Sequence, residues 1–149
     1  MLARPTTDQV LDGIVASLTD DVLPAIQDEP ARVAVQMIVQ LARSAAVRSA
    51  HEIAWMHEEI DAVRAAGTAS TDAPVGEAVA ALDEIDFTSL HLADVQRRYD
   101  AAGEVLSRLA EAAFADGTAH DRAAVRELLA ARSAHEMAIV GQLDLVGRG

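Results

Sequence analysis

Residues 92–115 read LADVQRRYDAAGEVLSRLAEAAFA, and within them Leu92, Val95, Tyr99, Ala102, Leu106, Leu109 and Ala113 recur at steps of three and four. That spacing gathers the side chains on one stripe of a helix, the seam of closely packed antiparallel bundles. Thr88 or Ser89 caps its start and Asp116-Gly117 ends it. The same period extends outward. Val10, Leu11, Ile14, Val15, Leu18, Val22 and Ile26 mark one buried face of a first helix, which the capping box of Thr6 and Gln9 starts near Thr7. Pro24 lacks an amide hydrogen and kinks or ends that helix before Gln27. Asp28 and Pro30 announce a second helix that runs to Gly67, a C-terminal glycine cap. Gly67 to Pro74 is small, polar or helix-breaking throughout and reads as a loop between two halves of a bundle. A short helix fits Val75 to Ile85, with Val75, Val79 and Leu82 inward. Thr118 with Asp121 makes another capping box, opening a last helix that carries Val125, Leu128, Leu129, Met137, Val140 and Leu143. The expected fold is all-α: an antiparallel bundle of about five helices, with a long second helix and a long C-terminal one, forming a single domain over residues 1–149.

Composition agrees. A chain of 149 residues buries about two-thirds of its unfolded surface on folding. Hydrophobic residues make up 51% but aromatics only 3%, so the core is aliphatic and suits close-packed helices better than a sheet. Twelve basic residues, all arginine, stand against 24 acidic ones, a net charge of -12 that phosphate backbones would repel. Nucleic-acid binding needs clustered cations, and there are none, so that class is excluded. No apolar run approaches the roughly 20 residues that span a bilayer, and no leader pattern opens the chain, so no membrane partner and a cytoplasmic location are expected. With no cysteine, disulfide scaffolds and thiolate metal sites are excluded too.

One phrase occurs twice, as residues 46–54 (AVRSAHEIA) and 130–138 (AARSAHEMA), with seven of nine positions identical. Successive 100° steps around the second helix put Glu52 in the arc of Ala34, Ile38, Ala45, Met56 and Val63, with Arg48 at its border. On the last helix Glu136 falls among Leu129, Val140 and Leu143, with Arg132 four residues before it, while His51 and His135 lie nearer the flanks. Each helix then carries an Arg and a Glu able to touch inside an apolar stripe. A buried carboxylate needs a partner, so the pairs satisfy one another within a helix or between helices. The plain reading is a network that fixes helix register; the sharper one is a cleft lined by Arg48, His51, Glu52, Arg132, His135 and Glu136.

Other chemistries are weaker. Di-iron bundles use Glu-x-x-His, but here His and Glu are adjacent, no His-Glu-x-x-His occurs, and His51 and His57 lie on different faces, so no metal and no cofactor is expected. His91 and Asp94 read as a cap and its solvated neighbour. Trp55 borders the side of Arg48 and Glu59, and as a packing anchor or an interface hot spot it makes Trp55 and Glu59 candidate partner contacts. Tyr99 reads as core packing. Ser49 and Ser133 have no poised base beyond an adjacent His, and there is no glycine-rich phosphate loop.

Arg4-Pro5-Thr6, then Asp21-Val22-Leu23-Pro24-Ala25-Ile26 and Arg32-Val33-Ala34, resemble a family of small bacterial helical proteins encoded beside aminoglycoside-phosphotransferase-like kinases and acyl-CoA dehydrogenases. In a levulinate-type pathway for short-chain acids, the family's small protein associates with a kinase that phosphorylates a 4-hydroxyacyl-CoA, and the kinase needs it. The resemblance covers roughly the first 45 residues and implies a non-catalytic accessory subunit. It carries no functional residue onto the repeat. The first expectation is therefore an accessory protein, in an oligomer with itself, with such a kinase or with a related acyl-CoA-pathway enzyme. The alternative is a small enzyme or ligand-binding bundle, in which a Glu of the repeat acts as general base and Arg48 or Arg132 clamps a carboxylate or phosphate.

Overall fold

The structure, a computed structural model, describes residues 4–86 and 88–141. It is all-α, with no strand among the described residues: α1 spans Thr7–Ser17, α2 Glu29–Ala69, α3 Ala73–Asp83, α4 Leu92–Ala115 and α5 Ala119–Val140. None of these helices is long and apolar enough to cross a membrane.

Local chemistry sets the boundaries. The Thr6 amide donates to Gln9 Oε1 at 3.1 Å, so α1 begins where the capping box predicts. Ahead of Pro24, which cannot donate an amide hydrogen, the helix widens into a π-helical turn at Leu18–Val22 and closes as a 3-10 turn at Leu23–Ala25. Asp28 Oδ2 accepts from the Ala31 amide at 3.0 Å to start α2, and Arg32 Nη2 reaches back 3.1 Å to the Ile26 carbonyl. Asp72 Oδ1 takes the Val75 amide at 3.2 Å to start α3. Ser89 is not itself the cap of α4: its hydroxyl accepts from the His91 amide, and the helix opens one residue after His91. Thr118 and Asp121 exchange backbone-to-side-chain bonds at 2.7 and 3.2 Å, the reciprocal box that opens α5.

Contacts gather the chain into two compact units: the described parts of residues 1–52 with 136–149, and residues 53–135. The loop expected over Gly67 to Pro74 is shorter, residues 70–72, since α2 reaches Ala69 and α3 begins at Ala73, and it lies inside the second unit. That unit is a four-helix bundle. Arg64 Nε and Nη2 fork onto the two oxygens of Asp83 at 2.6 and 3.0 Å, while Gly67 lies against Val75 and Val79, so α3 folds back antiparallel on α2. Arg122 Nη1 donates to the Gly117 carbonyl at 2.6 Å, and Arg132 bonds Tyr99, so α5 folds back along α4. Ile60, Val63, Val75, Val79, Leu82, Ala102, Val105 and Leu106 form the core, with Leu128 of α5 against it. Each Val, Leu or Ile among them contributes roughly 1.5–3 kcal/mol when fully buried.

Two expectations need correction here. Gly67 does not cap α2, which continues to Ala69. A Cβ at Gly67 would stand 2.6 Å from Val79 Cγ2 and 2.8 Å from Val105 Cγ1, so the glycine lets α2 approach α3 and α4 closely. The seam of α4 is also rotated. Val105 and Arg98, the latter only 1% exposed, join Val95, Ala102, Leu106 and Ala113 inside, while Leu92 is exposed, because α4 packs against α3 as well as α2 and turns a broader arc inward.

The first unit has a thin interior. Val39 and Ala46 are its buried apolar residues, and α1 has no buried residue. Val10, Ile14, Val22, Met37, Ile38 and Leu41 are exposed, as are Met137 and Val140, all but Met37 and Leu41 expected inside from their spacing. Leu129 of the second unit is exposed too, and Leu143 lies outside the described residues. Gly67→Ala adds a methyl into two valine side chains that have little freedom to retreat. The expected loss is about 1–3 kcal/mol despite the better helix propensity of alanine, and urea unfolding followed by helical circular dichroism measures it.

Candidate functional site

On α5, Arg132 and His135 are three apart and share a face; on α2, Trp55 and Glu59 are four apart and share another. Within residues 53–135 these faces meet across Tyr99 of α4. Tyr99 donates its hydroxyl hydrogen to Glu59 Oε2 at 2.5 Å and accepts from Arg132 Nε at 2.7 Å. His135 Nδ1 stands 2.8 Å from Glu59 Oε1, and Arg132 Nε 3.4 Å from Oε2. The ionised carboxylate has only acceptors to offer, so the imidazole hydrogen sits on Nδ1. The imidazole stacks on Trp55 with centroids 4.8 Å apart and planes 6° apart, and the Arg132 guanidinium lies 4.7 Å above the Tyr99 ring.

Glu59 is the hub. Its side chain is 13% exposed and receives Tyr99, His135 and Arg132, enough donors to hold a desolvated charge. Burial pushes the Tyr99 phenol up, the hydrogen bond to Glu59 adds to this, and Arg132 opposes it. Nη1 and Nη2 of Arg132 carry no hydrogen bond among the described residues, and solvent reaches both.

Beside this cluster is a cavity of about 270 Å³, lined by Ala62, Val63, Ala102, Gly103, Leu106, Leu128 and Ala131 together with Glu58, Glu59, Tyr99, Arg132 and His135. Its polar and apolar parts are segregated. From Glu59, Tyr99 and Arg132 the apolar residues follow three to seven positions along α2 and α4 and precede by one and four along α5, which runs the other way. The polar groups therefore close one end and Leu106 and Leu128 the other.

The two copies of the repeat do different things. Arg48 Nη1 bonds Glu52 Oε1 at 2.6 Å within α2, closing the first pair inside one helix, and His51 faces solvent. The second copy makes no such pair. Glu136 is exposed, not inward as its wheel position suggests, and Arg132 turns to Tyr99 and Glu59. A cleft uniting all six repeat residues is thus replaced by a cluster that takes Arg132 and His135 from the repeat and adds Trp55, Glu59 and Tyr99. Glu59 carried a signal: seven residues after Glu52, it returns to within 20° of the same face. The role of Tyr99 left none beyond its place on the seam. No group of three or more His, Asp or Glu poised for a metal occurs among the described residues. The chain matches no protein-family model, no curated protein and no solved structure.

Tyr99 is the chain's single tyrosine, so tyrosinate absorbance during an alkaline titration reads this cluster alone. The phenol is expected to ionise above its ordinary value of 10.0, and Glu59→Gln to bring it back down. Because the folded chain holds this proton more tightly than the unfolded one, the contribution to stability is complete below that ordinary value and is lost as pH rises through the folded one. Ionisation at or below the ordinary value would contradict the cluster.

Proposed function

We propose that this chain is a non-catalytic accessory subunit, working in the cytoplasm, whose first unit is completed by a protein partner: the aminoglycoside-phosphotransferase-like kinase, or related acyl-CoA-pathway enzyme, that the resemblance implies, or a second copy of the chain. The observation that carries the reading is the two-sided apolarity of α2. From Val33 to Val47 the helix has one charged residue, Arg43. Val39 and Ala46 point inward, while Met37 and Leu41 lie on the opposite face, 64% and 70% exposed, and Ile38 is exposed on the flank beside them. Helices that are apolar all round belong in interiors, and contiguous exposed apolar faces mark interaction sites. The acidic excess of the chain is absent from this face, so no charge there opposes association.

The residues that carry the resemblance have local structural roles: Thr6 opens α1, and Arg32 binds the Ile26 carbonyl. General-base catalysis by the repeat has less support, with Glu52 held by Arg48 and Glu136 in solvent.

Affinity capture from the native host, comparing the natural chain with Leu41→Glu, tests the reading. The natural chain is expected to retain a phosphotransferase-fold kinase or to elute as a self-complex, and Leu41→Glu to lose that association at least tenfold with unchanged helicity. A natural chain that is monomeric and retains no such kinase, or a variant that associates equally well, contradicts it.

A further inference from the structure

We infer that the cavity in residues 53–135 is a binding site for a small monocarboxylate with an apolar body, distinct from the partner surface of α2 and independent of it. Chemistry at the polar end selects the head group. Both oxygens of Glu59 are already engaged by Tyr99, His135 and Arg132, and the Tyr99 hydroxyl both donates and accepts. What remains open are Nη1 and Nη2 of Arg132, two parallel donors on one edge of a guanidinium. That edge matches the two oxygens of a carboxylate. Glu58 and Glu59 line the same cavity, and their charge opposes any anion, a dianion such as phosphate more than a monocarboxylate, which Arg132 must outweigh. The guanidinium is itself held by its Nε bond and by the Tyr99 ring beneath it, so it is positioned before any ligand arrives.

The apolar end selects the body. From Tyr99 to Leu106 the cavity follows α4 for about two turns, roughly 11 Å. A cavity of about 150 Å³ suffices for benzene, and this one holds about 270 Å³, room for a chain of moderate length between Ala102 and Leu128. Gly103 opens part of the wall: a Cβ added there would meet nothing within 4 Å, which leaves room for a longer side chain to occupy the space that the ligand's body would take.

Trp55, the only tryptophan, stacks on His135 and so reports on occupancy. The test titrates octanoate, octanol, octylamine and inorganic phosphate separately into the full chain, read by Trp55 fluorescence and calorimetry. Octanoate is expected to bind saturably, one per chain, at least tenfold more tightly than octanol, with octylamine and phosphate weaker still. Arg132→Met should reduce octanoate to the octanol level, while Arg126→Met, an exposed arginine on the same helix, leaves it unchanged. Gly103→Leu keeps the polar cluster but fills the cavity, and should abolish binding of both octanoate and octanol. Octanol or octylamine binding as tightly as octanoate, phosphate binding more tightly, an unaffected Arg132→Met or Gly103→Leu, or no saturable octanoate binding overturns the proposal.

Discussion

A carboxylate removed from water must be met by donors, and Glu59 is met from two other helices at once. This requirement disciplines the 53–135 bundle. Its core is aliphatic, and aliphatic side chains can slide past one another at little cost, because hydrophobic burial has no direction. The Glu59 cluster does not slide. Moving α5 by one residue would shift Arg132 and His135 by 1.5 Å along the axis and 100° around it, leaving a buried charge uncompensated. Register is thereby fixed by one acceptor and three donors, and the Trp55–His135 stack fixes the angle at which α5 meets α2.

The same economy of small side chains acts in opposite ways at the two ends of this bundle. At Gly67 the missing side chain lets α2, α3 and α4 close to contact, with valine methyl groups filling the space. Near the Glu59 cluster, Ala62, Ala102 and Gly103 line the walls, and nothing bulky from a neighbouring helix fills the volume between them. The result is a partly open hollow with its polar groups toward one end, the general form of a small-molecule site.

Local chemistry was legible in the sequence, and cross-helix chemistry was not. The boxes of Thr6 with Gln9 and of Thr118 with Asp121, and the inward triad Val75, Val79 and Leu82, rest on residues a turn or two apart, and the structure has them as read. Gly67 was misread because a glycine near a helix end looks the same whether it caps the helix or admits a neighbour. Arg98 was missed because a buried arginine runs against every apolar pattern. Arg132 and Glu136 stand at the right spacing to pair, yet a phenol and a carboxylate from other helices compete successfully for the guanidinium. The repeat itself is real in sequence and divergent in surroundings: identical residues close a pair within α2 in one copy and reach across to Tyr99 and Glu59 in the other.

The apolar stripes of α1 and of the first half of α2 teach a different lesson. Periodicity correctly identified helices there, but it also implied burial, and Val10, Ile14 and Ile38 are exposed. A hydrophobic stripe says only that a face gains free energy when covered; it does not say by what. In the second unit the cover comes from the same chain, through the core that joins α2, α3 and α4. In the first unit only Val39 and Ala46 are buried apolar side chains among the described residues; Leu11, Val15, Leu18 and Val33 are half-buried, and Val10, Ile14, Met37 and Leu41 are exposed. Met37, Ile38 and Leu41 remain as apolar surface that this unit's own folding does not cover. A partner that binds only the folded form stabilises it in proportion to the logarithm of its concentration over its dissociation constant, about 2.7 kcal/mol at a hundredfold excess. For a unit with so small an interior, that linkage is comparable with the burial of one whole aliphatic side chain, and the proposed partner would make folding and association two parts of one equilibrium.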